Sequence, residues 1–473
     1  MKRHVCVVII LAFLFASAAV AFADDKKDDQ GAVNTSLGQL SVYGTFKAGF
    51  NYNVGNQELQ VGTPTTSTDK KTGITTVTQP LQAAIRNSDM SFSVDWFELG
   101  VKGWVLDKGV TYAISVLGVD NATSYSGGNP VSTIQVLDMK LGFHYIPYVG
   151  IYIGRIIPAF CYYNSIPAAA YKTIEQPFIN QYMVPSDWQT GLNLGLVTDY
   201  VDANLGVYNG RQFNPQVLGV WGFLPQGAAN PVGNPATNWG DQNTAKDIHF
   251  GVIGKPLAGM GKEHVDDMRI RASLWYGMPL DGFKKDSSNN VVAHNAAVTM
   301  INADLDYLGP FGLTVIGEVL YAQYVWDKKL PPNFTTDRLG MWTGKADSTA
   351  NTLTSLSYNL MAAFNFGPLF RVPIELLVRY DWFDPDTLNN AKQRPTSVND
   401  QLTDLTGGFN YYIKSYSAMI RLDYIHHMQQ WKTYSVNTSP TTVYQMNMEN
   451  VRGNGNQVGI QDDELKLEAQ VSF

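Results

Sequence analysis

The 473-residue sequence predicts an all-β chain, a transmembrane antiparallel β-barrel of about sixteen strands with short turns at one end and long loops at the other. Three observations predict it. Apolar residues recur at every second position in one segment after another, the period of a half-buried strand. The connections between these segments alternate between tight and long. No apolar run after Ala23 is long enough to cross a membrane as a helix.

The amino-terminal residues set the compartment. Lys2 and Arg3 precede an apolar core from Val5 to Phe15, and Ala21-Phe22-Ala23 has the A-x-A form that a signal peptidase accepts. The apolar core is too short to span comfortably as an anchor. Residues 1–23 are therefore expected to be a cleaved signal peptide, residues 24–38 a short polar segment and residues 39–473 the barrel. Cys6 lies inside the apolar core without a lipobox. With Cys6 removed, Cys161 is alone and no disulfide closes within the mature chain.

Composition narrows the class. Charged residues make up 16%, against about a quarter in typical soluble domains. Aromatics are abundant, with 25 Tyr, 22 Phe and 10 Trp, and the mean hydropathy is -0.13. A membrane barrel shows only alternate residues to lipid and fits these values. A large soluble β-sandwich fits them too, so composition does not separate the two. The formal net charge is -7 and becomes more negative once Lys2 and Arg3 are lost. There is no basic tract, so nucleic acid is not an expected partner.

The strands follow from apolar parity. The first covers about 40–52, with Leu40, Val42, Phe46, Ala48, Phe50 and Tyr52 on one face. Segments 91–106 and 110–119 meet at Asp107-Lys108-Gly109, and 133–145 and 149–157 at Ile146-Pro147-Tyr148. Segments 190–198 and 200–208 meet at Thr198-Asp199, and 247–256 and 266–278 flank the Gly-rich Ala258-Gly259-Met260-Gly261. Segments 296–307 and 311–326 flank Leu308-Gly309-Pro310, and 354–366 and 374–384 flank Gly367-Pro368-Leu369. Segment 403–414 abuts 415–427, and 463–473 closes the chain. The remaining connections are long: 53–90, 120–132, 158–189, 209–246, 279–295, 327–353, 385–402 and 428–462. A sandwich has no reason to segregate loop length in this way, whereas a membrane barrel does.

Hydrocarbon explains the closed form. Every backbone N–H and C=O must find a partner there, and a sheet achieves this only by closing on itself. About sixteen strands leave an open lumen rather than a packed core. Tyr52, Trp104, Tyr145, Tyr307, Trp326 and Trp382 lie near strand ends and could form interfacial girdles, although aromatics also simply favour strands.

Parity also sorts the charges. With Met268, Ile270, Ala272 and Leu274 facing lipid, Arg269 and Arg271 face the lumen. With Ile374, Leu376, Val378 and Tyr380 outside, Glu375, Arg379 and Asp381 are inside. Lys102, Lys140, Glu318, Lys47, Lys466, Asp304, Asp306, Asp423 and Glu468 join the lumen set. Arg155 is also placed there, just before loop 158–189, as the residue expected to weigh most on selectivity. The two signs are close to balanced, so weak selectivity is expected.

Loop 158–189 differs from the other long connections. It contains Pro158-Ala159-Phe160-Cys161-Tyr162-Tyr163, Ile166-Pro167-Ala168-Ala169-Ala170-Tyr171 and Ile174-Glu175-Gln176-Pro177-Phe178-Ile179. By contrast, 385–402 and 428–462 are mostly polar. A long apolar loop needs a surface to pack against. The lumen, an outer lid and a subunit contact would each provide one.

Signs of catalysis are weak. Asp304, Asp306 and Glu318 suit lumen hydration better than acid–base work. His426 and His427 are strand neighbours that point to opposite faces, so one metal could not easily take both. Cys161 reads as a small buried hydrophobe. Gly453-Asn454-Gly455 is turn material, and no Ser/His hydrolase motif is present. No enzymatic activity and no cofactor are expected.

At the carboxy terminus, Leu465, Leu467, Ala469, Val471 and Phe473 alternate with Lys466, Glu468, Gln470 and Ser472. This resembles the closing strand of bacterial outer-membrane porins, whose terminal Phe acts as an assembly signal for the barrel-assembly machinery. Further stretches resemble the phosphate-selective porin family and its relatives in anaerobic bacteria. They are Ile153-Gly154-Arg155, Pro158-Ala159-Phe160, Ile174-Glu175-Gln176-Pro177, Gly206-Val207-Tyr208-Asn209-Gly210, Val378-Arg379-Tyr380-Asp381-Trp382-Phe383-Asp384 and Gly407-Gly408-Phe409-Asn410-Tyr411-Tyr412. The resemblance implies a homotrimer of sixteen-stranded barrels in the outer membrane of a Gram-negative bacterium, in contact with lipid and lipopolysaccharide. It implies a water-filled channel for ions and small polar solutes, with loop 158–189 folded inward as the constriction. A phosphate preference does not carry over, because this acidic chain lacks a dense ladder of lumen Arg and Lys. The alternative is a barrel that sheathes a multihaem cytochrome in an electron conduit. That role requires a wider bore free of any filling loop.

Overall fold

The structure, a computed structural model, describes residues 32–35, 38–53, 57–61, 65–68, 75–85, 90–106, 108–121, 131–184, 188–209, 246–258, 267–280, 296–326, 352–384, 402–428, 430–431, 434–439, 442–447, 458–459 and 463–473. The expected signal peptide lies outside the described residues.

Sixteen antiparallel strands form one closed barrel. They are β1 (Gly38–Asn53), β2 (Met90–Val105), β3 (Val110–Asn121), β4 (Val131–Ile146), β5 (Val149–Ile156), β6 (Gln189–Val197), β7 (Val201–Tyr208) and β8 (Asp247–Gly254). The second half comprises β9 (Asp267–Leu280), β10 (Ala296–Leu308), β11 (Leu313–Trp326), β12 (Thr352–Asn365), β13 (Ile374–Asp384), β14 (Leu402–Lys414), β15 (Ala418–His427) and β16 (Glu464–Ser472). Each strand pairs with its sequence neighbours, and β16 pairs with β1 from Thr45↔Ser472 to Asn53↔Glu464. Closure leaves no barrel edge to satisfy.

The strands alternate as the apolar pattern requires. On β13, Leu376 and Val378 are exposed on the outer face, while Glu375, Leu377, Arg379 and Asp381 are buried inside. On β9, Ile270 and Leu274 are outside, while Arg271, Ser273 and Trp275 are inside. In water this outer face would be one large apolar patch; hydrocarbon is the solvent it suits. Exposed Tyr145, Tyr148, Tyr200, Phe311 and Phe370 cluster where the short turns lie. Trp104 is not part of such a girdle. It shares the inward parity of Lys102, and its indole N–H donates to Gln39 Oε1 at 2.9 Å.

One extra residue shifts this pattern. Lys47 pairs with Trp96 and Ala48 with Val94, so Asp95 has no opposite number. The bulge changes which parity faces out, from Phe92 and Val94 before it to Phe97 and Leu99 after it.

The tight connections hold the left-handed residues. Leu106 and Lys108, Tyr148, Phe311, Arg371 and Ser415 all have φ between 49 and 69. Such tight turns need positive φ, which L residues adopt only at a cost. At the opposite end, the first and last long connections meet across the seam between β1 and β16. Thr442–Asn447 pairs in parallel with Thr75–Pro80.

Candidate functional site

Between β5 and β6, residues 157–184 run inside the barrel. Gly154 prepares the entry with φ 128, and a Cβ there would collide with the Met139 carbonyl. Single turns at Tyr162–Ser165, Ala168–Ala170 and Ile179–Met183 then carry the chain across the lumen.

Apolar packing seats the loop first. Phe160 meets Trp275 edge-on at 5.9 Å and His249 at 5.7 Å, and Tyr208 stacks on Trp275 at 5.4 Å. Ile156, Phe178, Ile179 and Met183 complete that cluster against Val298, Met300 and Leu320. Tyr162 and Tyr163 pack on Ile316 and Met361. Each fully buried side chain of this size contributes roughly 1.5–3 kcal/mol. The apolar character of the loop is thereby explained, since its partner surface is the inner wall.

Polar contacts then fix its position against β10 to β16. Asn302 Nδ2 donates to the Phe160 carbonyl at 3.3 Å, and the Tyr162 N–H donates to Glu318 at 3.2 Å. Gln470 Nε2 donates to the Ala169 carbonyl at 2.9 Å, and Arg421 donates to the Tyr171 carbonyl. Lys172 forms an ion pair with Glu375 at 2.5 Å, and Asn410 Nδ2 donates to the Lys172 carbonyl at 2.9 Å. Arg379 donates to Thr173 Oγ1 and, at 2.6 Å, to the Glu175 carbonyl. The Ile174 N–H donates to Asp423 at 2.7 Å, and Lys466 pairs with the Glu175 carboxylate.

Two loop groups respond to this setting. Burial opposes ionisation of Glu175, but the Lys466 ammonium outweighs it and holds the carboxyl below its ordinary value. Burial likewise opposes the charge on Lys172, and the Glu375 carboxylate outweighs it, raising the ammonium above its usual range.

The charges assigned to the lumen by parity do not share one environment. Arg271, Glu318, Glu375, Arg379 and Asp381 are inside but buried beneath the loop, as are Asp304, Asp423 and Glu468. They form rows across the ladder, one of which runs Arg271, Asp304, Glu318, Asn359, Asp381, Asp404, His427. Lys102 and Lys140 line open space, and Arg269 lies on the inner face with its side chain half exposed beside Asp267. Lys47 lies inside, 5.5 Å from the Tyr171 ring centre. Arg155 departs from its assignment. It pairs with outward Met139 and with Thr190, on the face of exposed Ile153 and opposite buried Ile156, which places it on the outer face.

His426 and His427 behave as strand neighbours should. His426 meets Asp463 at 2.8 Å, and His427 meets Asp404 at 2.7 Å. Cys161 is fully buried.

The loop leans on β8 to β16 and leaves space on the other side. A cavity of about 570 Å³ lies between its free flank and the wall of β1 to β5. Glu98, Lys102, Asp138 and Lys140 bring charge to it, with Lys140 3.4 Å from Asp138. This cavity is not legible in the sequence. Parity assigns side chains to the lumen but does not say which half of the lumen the loop covers.

No family model and no curated protein matches the chain. Among solved structures, the chain is similar to the outer membrane channel DcaP of Acinetobacter baumannii, at 8% identity and a TM-score of 0.52, covering 93% of this chain and 99% of that one. It is also similar to OmpF of Salmonella typhi, solved with daunomycin, at 11% identity and a TM-score of 0.50, covering 93% and 100%. The chain has the sixteen-stranded β-barrel fold of outer-membrane porins.

Proposed function

We propose that the chain is a porin of a Gram-negative outer membrane, exported by a signal peptide, that lets ions and small polar solutes diffuse passively. The observation that carries this reading is the loop clamped to one half of the lumen with an open cavity on the other half. A loop so placed narrows a wide barrel and leaves room for a solute beside it. A sheath around a cytochrome needs a bore free of filling loops, and residues 157–184 lie within this one. A channel, rather than an enzyme, also accounts for inner-wall charges engaged in holding a loop.

Weak selectivity belongs to the same reading. The cavity wall carries two carboxylates and two ammonium groups, and aqueous charges are screened over about 8 Å at physiological salt. The motifs resembling phosphate-selective porins support a homotrimer assembled in lipid and lipopolysaccharide by the barrel-assembly machinery. They do not by themselves support a phosphate preference.

Planar-bilayer recording of purified protein in a salt gradient tests the proposal. Discrete conductance steps with a small reversal potential are expected. A folded barrel that never conducts would overturn it.

A further inference from the structure

The two flanks of the loop meet different chemistry. On the β8 to β16 side, charged groups are buried against loop atoms. On the open side, aromatic rings dominate: Tyr43, Trp96, Trp104 and Tyr152 from the wall, and Tyr171 and Trp188 from the loop. Trp96 and Trp188 stack at 6.2 Å and 29°, so one aromatic platform spans wall and loop.

The indole N–H groups of Trp96 and Trp104 are directed at the protein. Trp96 Nε1 donates to Glu98 at 3.3 Å and Trp104 Nε1 to Gln39 Oε1 at 2.9 Å. Lys108 stands 5.6 Å from the Trp104 ring centre and Lys47 5.5 Å from that of Tyr171, so the carbon surface left to a solute is chiefly that of Trp96, Trp188 and Tyr152. Lys102 stands 5.2 Å from the Tyr43 ring centre, and Lys140 stands 3.4 Å from Asp138. Two carboxylates and two ammonium groups therefore line the cavity beside the aromatic surface, with no net charge among Glu98, Lys102, Asp138 and Lys140.

We propose that this cavity is a binding subsite for neutral cyclic polyols, that is, mono- or disaccharides. A sugar ring presents C–H faces that lie flat on aromatic carbon, while its equatorial hydroxyls both donate and accept. Paired carboxylates and ammonium groups at the rim satisfy both needs. A balanced rim gives a charged solute no preference over a neutral one, whereas aromatic faces favour a ring over a flexible chain. The volume, about 570 Å³, lies within the range of small-molecule sites.

This inference rests on the channel reading, and one experiment separates the two. Ion current through single channels is recorded with added cellobiose, with an ethylene glycol oligomer of matched size, and with benzoate. Cellobiose is expected to block saturably, while the oligomer lowers current only in proportion to bulk conductivity. Trp96→Ala should raise the half-blocking concentration about tenfold, and Trp96→Phe should largely keep the block. Trp188→Ala, on the loop, reports on the same platform if Trp96→Ala fails to insert. Conducting channels that cellobiose does not block saturably, or that benzoate blocks and cellobiose does not, would overturn the subsite and leave the channel standing. Absence of conductance in a folded barrel would instead overturn the channel itself.

Discussion

Lys172 and Glu375 form an ion pair of 2.5 Å inside the barrel, one from the lumen loop and one from the β13 wall, with side chains 9% and 1% exposed. Glu375 also accepts from Asn410 Nδ2 at 3.0 Å and from the Tyr412 hydroxyl at 2.9 Å. The loop is thus held by a carboxylate whose other contacts are all with the wall.

Removing one partner strands the other. Glu375→Gln leaves the Lys172 ammonium buried without its counter-charge, a change that costs about 3–5 kcal/mol for a buried pair. The loop should detach intermittently, and open-channel noise should rise while heat-modifiable gel migration stays normal. Lys172→Met combined with Glu375→Leu removes both charges and should be quieter than Glu375→Gln alone. Quiet channels in the single variant would show that the pair does not hold the loop.

Acid should loosen the second tether. Glu175 is held below its ordinary value of 4.5 by Lys466, so its stabilising charge is complete above 4.5 and is lost as pH falls through the lower value in the folded barrel. The contribution of this tether to channel noise should appear only below pH 4.5. Glu175→Gln should be noisy already at neutral pH. An acid transition unchanged in Glu175→Gln would assign it to another group.

Barrel closure makes a separate prediction. The Phe473 N–H donates to the Gly44 carbonyl and the Gly44 N–H donates to the Phe473 carbonyl, both at 3.0 Å. A Cβ on Gly44 would come 2.7 Å from Phe473 Cζ and 2.9 Å from the Glu98 carbonyl oxygen. Gly44→Val should therefore depress the yield of the folded, heat-modifiable band, as should Phe473→Asp. Normal folded yield in both would remove this contact from the account of assembly.

Selectivity should follow which charges meet the open cavity. Lys102→Gln is expected to shift the reversal potential toward cations, more so at low salt where screening weakens. Arg155→Gln should shift it little, since β5 turns that residue outward. Equal shifts from the two variants would contradict the placement of Arg155.

The sequence displays the barrel more clearly than the site. Alternation is a local property of each strand, so Arg271, Glu375, Arg379 and Asp381 could be assigned inward from their neighbours alone. The ring type of Trp104 suggests an interface, although its parity with Lys102 points inward. Arg155 lies next to the lumen loop in sequence, yet it shares the parity of Ile151 and Ile153, which face outward. The Asp95 bulge shifts parity by one within β2, and no residue there announces it. Contacts such as Lys466 with Glu175 or Gln470 with the Ala169 carbonyl join positions 291 and 301 residues apart. Local periodicity carries no information about such pairs. They appear only once the loop is seen to lie on β10 to β16.

The most direct test of the account is the conductance of a barrel without its loop. Deleting residues 161–183 and bridging the ends removes the Tyr and Ile side chains that fill the lumen, together with Lys172 and Glu175. If these residues narrow the pore, single-channel conductance should rise severalfold in a variant that still shows heat-modifiable migration. An unchanged conductance in that folded variant would contradict a constriction inside the barrel.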